Sequence, residues 1–151
     1  MMVLFAILAG SSSVTLAQPE LQPWSYLIGH CWAGEAPGNA GQDTHCFESV
    51  YGGQHVRDRH SVTVAGKEVY AGETLYSVHG LKVIFTYWNS LGGLGTGDAS
   101  FKADSWRFSG TIHATATSTN ESFSATWRKV SDGYEVIDAP GAKPRLFKRA
   151  D

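Results

Sequence analysis

The sequence predicts an all-β domain, a single closed or nearly closed antiparallel up-and-down barrel of about ten strands with a short helical turn near the N-terminus. Three observations predict it. First, β-rich runs are broken by Gly, Asn or Asp at spacings typical of a meander. Second, alternation is strict in 106–116, where Trp106, Phe108, Gly110, Ile112, Ala114 and Ala116 share one face and Arg107, Ser109, Thr111, His113 and Thr115 the other; Phe123, Ala125 and Trp127 repeat it. Period-two alternation gives each strand one core face and one wet face. Third, so many short strands in one domain either close on themselves or expose unpaired edges, and closure removes the edges.

Residues Met1 to Ala17 carry no charged side chain and hold the apolar run Val3-Leu4-Phe5-Ala6-Ile7-Leu8-Ala9. The run is too short for a membrane-spanning helix, and Thr15-Leu16-Ala17 offers the small residues a signal peptidase needs, so 1–17 reads as a secretory signal cleaved after Ala17. The remaining 134 residues, 151 minus 17, make one domain, 18–151. Within it, Pro19 to Ile28 suits a helical turn. Strands are expected near 30–36, 42–51, 54–64, 68–78, 81–89, 98–103, 105–117, 121–130, 133–137 and 144–149. The glycine-rich 91–97 is expected to be a flexible loop at the barrel rim.

No stretch of the domain is apolar for long enough to form a transmembrane segment. A net charge of −2 and a pI near 6.3 leave no basic field for nucleic acid. Cys31 and Cys46 lie nearly equidistant from the Pro37-Gly38-Asn39 turn, so antiparallel pairing sets them opposite each other; export to an oxidising compartment, secreted or periplasmic, makes a disulfide the expected state.

The first-strand segment Trp24-Ser25-Tyr26-Leu27-Ile28-Gly29-His30-Cys31-Trp32-Ala33-Gly34 and the ten-strand meander behind it resemble the lipocalin-like (calycin) barrels. The layout is closest to nitrobindin-type and uncharacterised bacterial lipocalin-like domains. The resemblance implies a helical turn plugging one barrel end, with Leu27, Gly29 and Trp32 in the places where a Trp packs over it. Two residues, His30 and Cys31, stand between the Gly and the Trp where the family usually has one. Nitrobindins carry a haem-ligating His close to the C-terminus; residues 112–151 hold only His113, on a polar face, so no haem or other cofactor is expected. Arg145-Leu146-Phe147 resembles the Arg-x-Tyr with which fatty-acid-binding proteins grip a carboxylate, and basic residues of a surface tail explain it equally well.

Candidate chemistry is sparse. His30-Cys31 and His45-Cys46 are not expected to form a zinc site, because strand neighbours point to opposite faces, and no metal is expected. Gly92-Gly93-Leu94-Gly95-Thr96-Gly97 lacks the Lys-Ser/Thr ending of a phosphate loop, and there is no Gly-x-Ser-x-Gly elbow. The Asn120 sequon matters only where the source glycosylates. The informative run is Val56 to Val64, whose even face, Val56, Asp58, His60, Val62 and Val64, sets an acid and an imidazole among apolar residues.

Across the Ala65-Gly66 turn, a two-residue connection sets Asp58 against Glu73. A three-residue one sets Arg59 against Glu73 outside and His60 against Gly72 inside, and the second is electrostatically better. Tyr70, Thr74 and Tyr76 then face inward, with Val83, Phe85, Tyr87 and Asn89 beyond the His79-Gly80 turn. Asp58, His60, Tyr70, Thr74, Tyr76, Phe85, Tyr87 and Asn89 are therefore the expected ligand-binding set for a small, partly apolar molecule. A buried polar network without a ligand accounts for the same residues. An enzyme using Asp58 and His60 as an acid/base pair and a protein-interaction module without a ligand are the other readings. The same register turns Val69, Leu75, Ile84 and Trp88 outward, Leu75 opposite Ile84 and Ala71 opposite Trp88, an apolar face suited to a homodimer.

Overall fold

The structure, a computed structural model, describes residues 15–151; most of the expected leader lies outside the described residues. After a 3-10 turn, Pro19–Tyr26, ten strands follow in order: β1 Cys31–Glu35, β2 Gln42–Val50, β3 His55–Val64, β4 Lys67–His79 and β5 Lys82–Asn89, then β6 Gly92–Lys102, β7 Ser105–Thr115, β8 Glu121–Val130, β9 Gly133–Ile137 and β10 Arg145–Arg149. Each pairs antiparallel with its neighbours, and β1 pairs with both β2 and β10, closing the barrel. No helix among the described residues is long and apolar enough to cross a membrane.

The 3-10 turn forms because Pro19 and Pro23 restrict the backbone, and it plugs one end of the barrel by burying Leu21 and Trp24. Trp24 packs on Tyr76 at 5.1 Å and on Trp106 at 6.3 Å between ring centroids. Trp32 is buried beside it, and its indole N–H donates to the Leu27 carbonyl at 3.1 Å. Trp32 thus packs over the end of the turn, its ring 5.4 Å from that of Tyr26. Leu16, inside the expected leader, is also buried, and Ala17 N–H donates to Gly53 O at 2.9 Å.

The inner faces of β7 and β8 are those the alternation predicts: Trp106 pairs with Trp127, Phe108 with Ala125 and Gly110 with Phe123. The expected β3–β4 register also holds, Arg59 opposite Glu73 and His60 opposite Gly72, but by another device. The connection is a two-residue turn with positive φ at both Ala65 and Gly66, the hand that matches strand twist. The register then slips by one between Val62 and Thr63, which pair with Tyr70 and Glu68 and leave Val69 as the extra residue of a bulge. The bulge achieves what a three-residue turn was expected to do.

Two expectations are corrected. Residues 92–97 are not a rim loop but the first half of β6, with Gly95 opposite Tyr87 and Gly97 opposite Phe85. A Cβ on Gly97 would stand 2.1 Å from Ser109 O, and one on Gly110, its partner on β7, 2.1 Å from Thr96 O. Glycine is used because the two backbones approach too closely for any side chain. The β4–β5 turn, Gly80-Leu81, lies one residue further along than expected, so Ile84 faces Ser77 and Trp88 faces Glu73 rather than Leu75 and Ala71. Inward faces survive a two-residue slip. The outer apolar face does not stay continuous, although Val69 and Trp88 remain exposed.

Cys31 and Cys46 are directly paired across β1 and β2 and form a disulfide, Cα to Cα 4.0 Å, on the outer side of the hairpin whose inner pair is Trp32 and His45. The protein unfolded without reductant should titrate no free thiol, and the Cys31→Ala/Cys46→Ala double variant should lose about 3 kcal/mol in urea unfolding, the loop-closure value. Gly97→Ala and Gly110→Ala should each cost roughly 1–3 kcal/mol by overpacking. Wild-type unfolding midpoints for both glycine variants would refute the close-approach reading.

Candidate functional site

Alternation along β2 turns Asp43, His45 and Phe47 inward, and the partner strand turns Asp58 and His60 to meet them; His45 is paired with His60 and Phe47 with Asp58. Four charged or titratable side chains on two adjacent strands thereby share one patch of barrel wall. Asp43 and Asp58 are buried almost completely, His45 nearly so, and His60 borders the lumen.

His45 is the centre of the patch. Its Nδ1 donates to Asp58 Oδ2 at 2.7 Å, and its Nε2 lies 3.4 Å from Asp43 Oδ1. Its ring stacks on Phe47 and meets the edges of Trp127 and Phe147. Burial opposes protonation of His45, but the Asp58 charge, the close approach of Asp43 and the hydrogen bond to Asp58 outweigh it and raise its pKa to about 10. Burial likewise opposes ionisation of Asp43, yet the close approach and charge of the two imidazoles hold its carboxyl well below the usual carboxylate range. His60 Nε2 stands 2.6 Å from the same Asp43 Oδ1, and its ring lies 4.2 Å from that of His45, nearly parallel at 12°.

The other oxygen of Asp43 is held from the far side of the hairpin. Arg145, on β10, donates from Nη1 to Asp43 Oδ2 at 3.1 Å and to the Glu35 carbonyl at 2.7 Å, and its Nε and Nη2 grip both oxygens of Asp138 at 3.0 Å. Such a two-pronged grip matches guanidinium to carboxylate geometry. Arg145 thus points inward and is no residue of a surface tail, and four of its five N–H donors are committed within the protein. A ligand carboxylate would find one N–H left on it, too few for a two-pronged grip.

The polar patch forms one end of a cavity of about 200 Å³ whose remaining wall is aromatic and aliphatic, including Phe108, Ile112, Phe123 and Trp127. Of the expected ligand-binding set, Asp58, His60, Thr74, Tyr76, Phe85 and Tyr87 line this cavity. Burial, with the Asp58 charge adding to it, pushes the Tyr76 phenol up, so it stays a neutral hydrogen-bond donor. Tyr70 sits behind, edge-on to His60 at 5.4 Å and hydroxyl to hydroxyl with Tyr87. Asn89 is occupied at the β5–β6 turn, where Oδ1 accepts from Leu91 and Gly93 N–H at 2.9 Å and Nδ2 donates to Ala114 O at 3.1 Å.

The expected Asp58–His60 couple is divided differently. Asp58 pairs with His45, and His60 with Asp43. Asp43, His45, Asp138 and Arg145 escaped the sequence reading as site residues. Asp43 and His45 were legible in principle: two titratable residues at i and i+2 on a half-buried strand share a face. Asp138, beyond the end of β9, carried no periodic signal.

Arg145→Met should destabilise the protein by about 3 kcal/mol, because it strands Asp43 in a dry wall. Arg145→Lys should recover only part of that, since a point charge cannot span Asp43, Asp138 and the Glu35 carbonyl together; urea unfolding of both variants checks the order. No protein-family model matches the chain and no curated protein matches it, so the arrangement is read from its own geometry.

Proposed function

We propose that the chain is an exported, lipocalin-like barrel that holds one small, partly apolar molecule inside its lumen. The observation that carries this reading is the cavity itself: an aromatic wall ending in an ordered patch of imidazole, carboxylate and hydroxyl groups. Apolar area supplies affinity and a few convergent polar groups fix orientation. Export is supported by the apolar, uncharged start of the chain with small residues before Gln18, and the disulfide suits an oxidising compartment. The leader is 1–17 and the working domain 18–151.

Size and charge narrow the ligand. An engineered apolar cavity of about 150 Å³ takes benzene, so about 200 Å³ suits one ring with one or two substituents. The charged groups of the patch comprise three carboxylates, Asp43, Asp58 and Asp138, with Arg145 the single permanent cation and already shared between two of them. An anionic ligand is disfavoured there. A neutral molecule with a hydroxyl, amine or carbonyl directed at His60 and Thr74 fits better.

Native mass spectrometry of freshly purified protein is expected to show a retained small mass. Phenol and indole, used as probes, should raise the melting temperature and alter tryptophan fluorescence through Trp127. Ala125→Leu extends a side chain into the cavity and should abolish both effects while far-UV circular dichroism is unchanged. No retained mass together with no response to either probe in the wild type would overturn the proposal.

A further inference from the structure

Asp43, His45 and His60 each present one donor atom, and these atoms lie within 4.8 Å of one another. We propose that they form a binding site for a divalent transition-metal ion, facing the cavity with coordination positions left over for a small molecule. The inference goes beyond the ligand-binding reading and does not require it.

Three observations carry the site. The donors are two imidazole nitrogens and a carboxylate oxygen, a set that suits zinc, iron or cobalt and is poor for magnesium or calcium, which prefer oxygen. Metal–ligand bonds of about 2.0–2.2 Å put neighbouring donors roughly 3 Å apart; Asp43 Oδ1 is 2.6 Å from His60 Nε2 and 3.4 Å from His45 Nε2.

Burial and hydrogen bonding add the second observation. Asp43 Oδ1 and His60 Nε2 are buried and close, yet neither makes an aligned hydrogen bond, although Asp43 is only 2 % exposed. Buried polar atoms are rarely left so without a purpose.

The third is the outer support. His45 Nδ1 donates to Asp58, which frees Nε2 for a metal and fixes the ring, and Arg145 holds Asp43 Oδ2 so that Oδ1 points at the histidines. A carboxylate behind a ligating imidazole orients it and strengthens it as a donor.

The stack of His45 on His60 defines the movement required. Two rings at 12° and 4.2 Å cannot both aim at one ion, so one must turn. His45 is clamped by Asp58 and by Phe47, Phe147 and Trp127; His60 borders the cavity and is the ring that turns.

Cobalt(II), added to untagged, metal-free full-length protein without any organic ligand, should produce a visible d–d absorption band that saturates at one ion per chain. Zinc should displace it and magnesium should not. His60→Ala should remove the saturable band, Asp58→Asn should weaken binding by about 10–100-fold, and His79→Ala, an exposed histidine remote from the site, should change nothing.

In case the variants fold poorly, wild-type protein treated with diethylpyrocarbonate should show zinc-dependent protection at His60, the cavity-facing ligand, and at no other histidine. Failure of the wild type to give a saturable band, persistence of the band in folded His60→Ala, or protection of other histidines would overturn the proposal. Binding of phenol or indole is measured separately, so loss of one reading leaves the other standing.

Discussion

Asp43 is a carboxylate in a nearly dry wall, and the end of the barrel away from the 3-10 plug is organised around its neutralisation. An isolated buried charge costs far more than a domain's net stability, so it survives only with partners. Those partners come from three directions: His45 from its own strand, His60 from β3 and Arg145 from β10, whose guanidinium is in turn positioned by Asp138 beyond β9. β10 is the strand whose pairing with β1 closes the barrel, so the charge network and the closing ladder depend on each other.

The two ends of the lumen are built on different physics. At the plugged end Trp24, Trp32, Trp106 and Tyr134 are buried against one another and their neighbours, and large apolar ring area holds them there. At the other end the wall is charged and the interior incompletely filled. Between them Tyr76 touches both, packing on Trp24 and on Phe108 while its phenol faces the Asp58 charge. Glycine and alanine on the inner face of β6 make that strand the thinnest part of the wall, and the close crossing at Gly97 and Gly110 follows from the same absence of side chains.

Aromatic packing and the Cys31–Cys46 bridge hold the plugged end and the first hairpin, while the Asp43–Arg145 pair ties β10 to β2 at the other end. Of the four inward side chains on β2 and β3, His60 is the least enclosed, and its ring borders both Tyr70 and the lumen.

The fold class, the number of strands, the helical turn, the disulfide partners and the inward faces of β3, β4, β5, β7 and β8 were legible because they follow from local rules. Period-two alternation sets a face, and a face is unchanged by a register error of two. Four features obeyed no local rule. β6 looked like a loop because glycine has low strand propensity, and only the rings of Phe85 and Tyr87 beside it and the backbone of β7 against it make an unadorned strand the better solution.

The bulge at Val69 reproduced the effect of a longer turn, which sequence cannot distinguish. Asp58 met His45 rather than His60 because the β2–β3 register, settled by pairing across the whole hairpin, brought a second histidine onto the same wall. Arg145, more than eighty residues away in sequence from either histidine, joined them only when the last strand closed on the first. Local periodicity determined which side chains face inward; closure of the barrel, a long-range event, decided which of them touch.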